Sequence, residues 1–301
     1  MGEVSGRRLP QEKVSDRERP KSTEIELRFW GARGSIPTPV PENLGYGGNT
    51  ACLEVRLPEG ESFIFDGGTG LRELGIEIAS AHSASPAGAP HTLHLFLTHF
   101  HWDHVQGIPF FAPLYTAGNE VKFYSSHPAE RLRNILSGQM ATPYFPVQFE
   151  FLAAKMSFGH VGRAPVHFGD LRVSTFPMNH PQGASGYRIE FRDSVLIYAS
   201  DLEHGKPEFD AILREAAHGA DMLVYDAQFT PEEYPSRVGW GHSTWLEATR
   251  VAKDAGVKKL ILFHHDPGHD DAFLSDIVQQ ARKHFPATQA AREGLCLRVG
   301  G

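Results

Sequence analysis

Cysteine is scarce in this chain: only Cys52 and Cys296 occur in 301 residues, far apart and in no Cys-x-x-Cys pair. That argues against a disulfide framework and against a cysteine zinc site, and leaves both as ordinary core or strand residues. No apolar run reaches the roughly eighteen residues a membrane helix needs, and the N-terminus lacks the apolar segment of a signal peptide. The expectation is a cytoplasmic protein with no membrane partner. Positive charge is also in short supply, the formal net charge being −7 at pH 7 with histidine neutral. Such a balance disfavours a stable complex with long nucleic acid, which is held by counterion release. Bound metal ions would still make a pocket locally positive.

Apolar residues are almost missing from the first 23 positions, where both charge signs mix with Gly, Pro and Ser. Such a segment cannot bury enough surface to offset its ordering entropy, so residues 1–23 are expected to be a disordered tail ahead of one domain over 24–301. A second break is expected at 82–90, where Ser, Ala, Gly and Pro dominate.

What the chain has in abundance is histidine, 17 in all. Three of them, with one carboxylate, fall within Thr98-His99-Phe100-His101-Trp102-Asp103-His104. At this abundance a chance His-x-His-x-Asp-His is on the order of a few in a thousand, so metal binding is the better reading. Leu93, Leu95 and Leu97 alternate just before it, the period of a half-buried strand, so the ligands emerge where a strand becomes a loop. Neutral imidazoles and a carboxylate suit borderline divalent ions such as zinc.

Strands are expected over 25–30, 51–57, 62–65, 121–124, 171–176, 186–191, 195–198, 222–225 and 260–263. Helices are expected over 71–79, from Val105, from Pro128, and over 207–217, 244–255 and 271–284. Residues 138–169 show no regular pattern. This alternation implies an α/β chain with two sheets face to face beneath helical layers. Later strand ends supply more ligand types: Phe176-Pro177-Met178-Asn179-His180, Tyr198-Ala199-Ser200-Asp201 and Leu260-Ile261-Leu262-Phe263-His264-His265. Taken singly, each has an ordinary alternative, a surface histidine or a plain turn.

Their order and spacing resemble the metallo-β-lactamase superfamily, and within it the tRNase Z-like phosphodiesterase branch that includes cyclic-phosphate and cyclic-nucleotide phosphodiesterases. The segment from Arg28 to Pro37, Tyr46-Gly47-Gly48-Asn49-Thr50 and Phe65-Asp66-Gly67-Gly68-Thr69-Gly70 resemble that branch's early strand and loops, with Asp66 supporting the metal loop from behind. The resemblance implies a four-layered αββα sandwich holding two divalent ions, zinc first, with manganese or iron(II) as alternatives. By it His99, His101 and His180 hold one ion, Asp103, His104 and His264 the other, and Asp201 bridges them. His265 is the alternative to His264. Gly241-His242-Ser243-Thr244 resembles the branch's histidine-serine-threonine motif, with Asp226 orienting His242 where tRNase Z itself carries a glutamate. The plain alternatives are a surface histidine and, for Thr244, a helix cap.

The implied chemistry is attack of a metal-activated hydroxide on phosphorus, with Asp103 and Asp201 orienting the nucleophile and His242 serving the leaving oxygen. Substrate contacts are expected from Arg33, Ser243 and Thr244, with Tyr144 and Phe145 offering a stacking wall. The chain has no long basic, glycine-rich insertion of the kind tRNase Z uses on tRNA, so the expected partner is a small phosphodiester, such as a cyclic nucleotide or cyclic phosphate. Relatives are commonly dimers, which implies a homodimer. The alternatives are an RNA 3′-processing endonuclease, a thioesterase or lactonase, and a non-catalytic protein that sequesters a nucleotide.

Overall fold

The computed structural model describes residues 24–84 and 91–300. The expected tail lies outside these residues, as does the 85–90 part of the second break, whereas 82–84 complete a helix. One sheet combines β1 (Ile25–Gly31), β2 (Cys52–Arg56), β3 (Ser62–Phe65), β4 (Thr92–Phe96), β5 (Glu120–Ser125) and β6 (Lys155–His160) with β14 (Cys296–Val299), in the order β14-β1-β2-β3-β4-β5-β6. The other combines β7 (Val166–Phe168), β8 (Leu171–Met178), β9 (Ala184–Phe191), β10 (Ser194–Ala199), β11 (Met222–Asp226), β12 (Lys259–Phe263) and β13 (Thr288–Ala290), in the order β13-β12-β11-β10-β9-β8-β7.

Three apolar cores separate four layers. The central one joins both sheets through Phe29, Phe63, Phe65 and Phe96 on one side and Tyr187, Tyr198, Val224 and Phe263 on the other. A second lies beneath α1 (Gly70–Ala84) and α3 (Ala129–Gln139), and a third beneath α4 (Pro207–Ala217), α5 (Trp245–Asp254) and α6 (Asp271–His284). The chain therefore adopts the expected αββα sandwich. Burying both faces of a sheet calls for continuous apolar strands, as in β11, whose five residues Met-Leu-Val-Tyr-Asp are all buried. β1 alternates at first, as a strand nearer an edge does.

Several expectations need correction. The helix expected from Val105 is a single turn, α2 (Trp102–Val105), followed by 3-10 turns over Ile108–Phe110 and Ala112–Tyr115, because Gly107, Pro109 and Pro113 interrupt continuation. The 138–169 stretch contains β6 and β7, short strands at sheet edges whose alternating apolar pairs, Met156 with Phe158 and Val166 with Phe168, are only partly buried. The short strands β13 and β14 escaped notice too. β14 pairs antiparallel with β1, bringing the two ends of the described chain together.

β3, β4 and β5 run parallel, as do β10, β11 and β12, and two antiparallel steps make β8 parallel to β10. Open sheets of this kind present functional loops where parallel strands end. Among the described residues no helix is long and apolar enough to cross a membrane.

His94 in β4 stacks between Phe63 and Tyr124 (ring centroids 4.8 and 5.8 Å), and burial with nearby Lys122 pushes its pKa down to about 4. The unfolded chain takes up that proton near pH 6.5, so between about pH 6.5 and 4 the unfolded state binds more protons and folding stability falls as pH falls. Urea midpoints at pH 7.5 and 5.0 should therefore differ less in His94→Phe than in the parent chain; an equal loss in both would remove His94 from the acid response.

Candidate metal centre

The loops after β3, β4, β8, β10, β11 and β12 converge at one mouth of the sandwich. Ligand atoms of His99, His101 and His180 lie within 4.8 Å of one another, and so do those of Asp103, His104, Asp201 and His264. Asp201 faces both groups. Its Oδ2 is 3.7 Å from His99 Nε2 and 3.8 Å from His180 Nε2, while its Oδ1 is 3.0 Å from His104 Nε2 and 3.1 Å from His264 Nε2. Asp103 Oδ2 lies 3.1 Å from His264 Nε2 and accepts the backbone N–H of Ser35 at 2.7 Å. All seven expected ligands are thus brought together, in the two expected groups.

The hydrogen bonds behind the histidines decide which nitrogen faces inward. Nδ1–H of His104 donates to Asp66 (2.8 Å), that of His180 to the Gly241 carbonyl (2.8 Å), and that of His264 to Gln228 Oε1 (2.9 Å). Nδ1–H of His99 donates to Thr98 Oγ1 (3.0 Å), whose own proton goes to Asp66. Each Nε2 is thereby turned to the centre, where its lone pair is available to a cation once any proton there is displaced. His101 is turned the other way, with Nε2–H on Gln182 Oε1 (3.2 Å) and Nδ1 3.1 Å from His180 Nε2. Among the described residues the buried Nε2 atoms of His99 and His104 have no hydrogen-bond partner. Buried polar atoms are rarely left so, and here they face carboxylates, so this donor set of imidazoles and carboxylates fits divalent metal.

The backbone is strained at the same places. Asp66, Asp201 and His264 adopt left-handed φ of 63°, 62° and 59°, costly for side chains of this kind and a recurrent mark of functional sites. Close packing adds constraints: a Cβ on Gly34 would collide with the His264 ring, and one on Gly241, at φ 88°, with the His180 ring. Electrostatics follow the geometry. Burial drives the His99 pKa down, with His104 adding to the effect. Burial also opposes charge on Asp103 and Asp201, but His104 and the neighbouring imidazoles overcome it and hold both carboxylates ionised. For His264 the burial penalty is outweighed by Asp201 and Asp103, and its pKa rises to about 9. A centre dominated by two buried carboxylates attracts cations.

His242 adjoins this group, stacked on His264 (4.8 Å between ring centroids), and its Nδ1–H donates to Asp226 at 2.8 Å. Asp226 also accepts backbone N–H groups from Gln228 and Ser243 at 3.0 and 3.3 Å. The expected substrate contacts fare differently. Arg33 is fully buried and donates to the carbonyls of Gly47, Asp266 and His269, so it ties loops together and has no reach to a substrate. Ser243 Oγ is buried between His204 Nδ1 (2.8 Å) and Tyr225 OH (3.1 Å). Thr244 Oγ1 caps α5 by accepting the Glu247 N–H. Phe145 packs edge-on against Phe110 (5.5 Å) over the α1/α3 core, whereas Tyr144 is 77% exposed. His265 points away from the centre, its Nε2–H on the Ala291 carbonyl, which leaves His264 as the inward histidine.

Several contributors escaped the sequence reading. Gln228 sits two residues beyond the end of β11 and orients His264. Glu203, two residues after Asp201, accepts the N–H groups of Gly239 and Gly241 (2.7 and 2.9 Å), fixing the turn that anchors His180 and leads into His242. Both stand beside strand ends already singled out, so inspecting every polar residue there, instead of ligand types alone, would have found them.

Replacing His101 by Ala or Asp201 by Asn should abolish stoichiometric metal retention after dialysis, measured by elemental mass spectrometry. Asp66→Asn, which leaves all seven candidate ligands in the chain but loosens His104 and Thr98, should weaken metal affinity by about 10–100-fold. Unchanged metal content in the first two variants would refute their role as ligands.

The Beta-lactamase superfamily domain matches residues 61–265. A ribonuclease Z of Synechococcus sp. (strain CC9902) is 24% identical to this chain, over 91% of it and 98% of that protein. Among solved structures, the metallo-beta-lactamase fold protein YhfI from Bacillus subtilis superimposes with a TM-score of 0.67 at 16% identity, covering 92% of this chain and 99% of its own. A diphosphatase from the PhnP family gives 0.65 at 18% identity, covering 91% and 97%.

Proposed function

This chain belongs to the beta-lactamase superfamily, and from that membership and its site we propose a metal-dependent phosphodiesterase acting on a small, cyclic phosphodiester, with a cyclic nucleotide as the leading case. The observation that carries the reading is Asp201: one carboxylate presents one oxygen to each of two ligand groups, beside a histidine held by its own aspartate. Two divalent ions held there, zinc in the first instance, would draw in the non-bridging phosphate oxygens and make water nucleophilic near neutral pH.

The chain's residues do the rest. Asp103, fixed by the Ser35 N–H, and Asp201 orient the nucleophile from the floor of the site. With Asp226 holding the Nδ1 proton of His242, the imidazolium form donates its second proton, on Nε2, to the departing alkoxide, which leaves poorly without one, and the ring is left neutral. A thioesterase or lactonase would share the ligand groups but give the His242–Asp226 pair no comparable task. The small-substrate reading is supported by the path between His180 and Asp201, which is occupied by the hairpin of β9 and β10 with no basic insertion. RNA 3′-processing is the second reading, favoured because a relative named ribonuclease Z aligns along 91% of this chain.

His242→Ala should slow cleavage of a diester with an alkoxide leaving group by about a hundredfold or more, and cleavage of a p-nitrophenyl diester far less. Equal losses would reject the proton-donor role. A cyclic-nucleotide panel run beside a 3′-extended pre-tRNA separates the two substrates: efficient trimming of the RNA with no cyclic-nucleotide turnover would replace the first reading by the second.

A further inference from the structure

A cavity of about 400 Å³ adjoins the centre on the side of His101 and has no part in the chemistry above. It shares residues with the hydrogen bonding of the centre: Thr98, which accepts from His99, and Gln182, which accepts from His101, both line it. Ser126, His127, His160 and Arg163 are also in its lining. The His127 ring stacks on Phe100 (5.4 Å, 21° between planes), the residue between two of the metal ligands, so this wall is positioned by the metal loop itself.

The charge of this lining is at odds with the chain as a whole. The net charge is −7, yet no Asp or Glu is among the described residues that line the cavity. Arg163 is exposed, and among the described residues its guanidinium has no ion-pair partner. Ser126 accepts the Ser185 hydroxyl at 2.8 Å, leaving its own O–H to donate, and Gln182 uses its carbonyl on His101, leaving its amide N–H groups. Gln182 also holds a left-handed φ of 65°, a conformation a glutamine adopts at a cost. A permanent cation, two imidazoles and spare donors without a carboxylate form an environment for an anion.

We propose that this cavity binds a phosphate monoester group carried by the same substrate whose diester is cleaved at the centre. The proposal rests on the phosphodiesterase reading above and narrows it. A plain cyclic mononucleotide has a single negative charge, all of it on the scissile diester, and has nothing to place against Arg163. The substrate class becomes a small phosphodiester with an additional terminal phosphate.

Calorimetry on the metal-loaded full chain tests this without turnover, using adenosine 3′,5′-bisphosphate and adenosine 5′-monophosphate as probes. The bisphosphate should bind about tenfold more tightly, Arg163→Ala should bring the two within about twofold, and Arg163→Lys should restore part of the difference. Equal affinities in the parent chain, or a preference that survives Arg163→Ala, would overturn the proposal. A holoprotein that prefers the bisphosphate through Arg163 but cleaves no phosphodiester would sink the reading of the centre and leave the anion cavity standing.

Discussion

Two ionised carboxylates, Asp103 and Asp201, lie buried at one mouth of the sandwich, and much of the surrounding structure answers the cost of keeping them there. Buried charge without compensation is expensive. Among the described residues the compensation comes from imidazoles, from the Ser35 N–H on Asp103 and from the Ser200 hydroxyl on Asp201 (2.6 Å), with no Lys or Arg among the ion-pair partners. Imidazoles whose outer nitrogens are already bonded can offer only their inner lone pairs or a borrowed proton. The arrangement is completed by cations, which is why ligand geometry and charge point the same way.

Asp66 shows how the compensation is enforced from behind. Its carboxylate collects the Thr98 N–H and hydroxyl, the His104 Nδ1–H and the Tyr198 hydroxyl, the last at 2.9 Å. One buried group thereby links β3, the loop after β4, α2 and β10, drawing on both sheets. Glu203 plays a similar part on the other flank, bonding the turn that both anchors His180 and precedes His242. The candidate metal ligands and the proposed proton donor are consequently held by shared supports, and the left-handed backbones of Asp66, Asp201 and His264 persist because so many bonds determine them.

The ligand groups by themselves suit many kinds of metal-dependent hydrolysis; the Asp226–His242 pair directs attention to a leaving group that needs a proton. The carboxylate-free cavity beside Gln182 then directs it to a substrate with charge beyond the scissile bond. Each step away from the centre narrows the chemistry and rests on fewer residues.

The metal loop was legible because its ligands are close in sequence and follow an apolar strand, and His180, Asp201 and His264 were legible because each ends a strand of the same kind. The layer architecture could be read from the alternation of apolar strands and helices, while edge strands such as β6, with only Met156 and Phe158 partly buried against the core, carry too short a period to stand out. Side-chain direction was another matter. Arg33 belongs to a segment that looked like a substrate loop, but carbonyls of Asp266 and His269, more than two hundred positions away, draw it into the interior. Likewise Ser243 turns to His204 and Tyr225, and His265 to Ala291. By itself the sequence determined which residue types stand at the strand ends, since local pattern sets where strands stop. Only the tertiary structure decided which of them face the metal site, because that choice depends on hydrogen-bond partners from distant segments that meet when the two sheets pack.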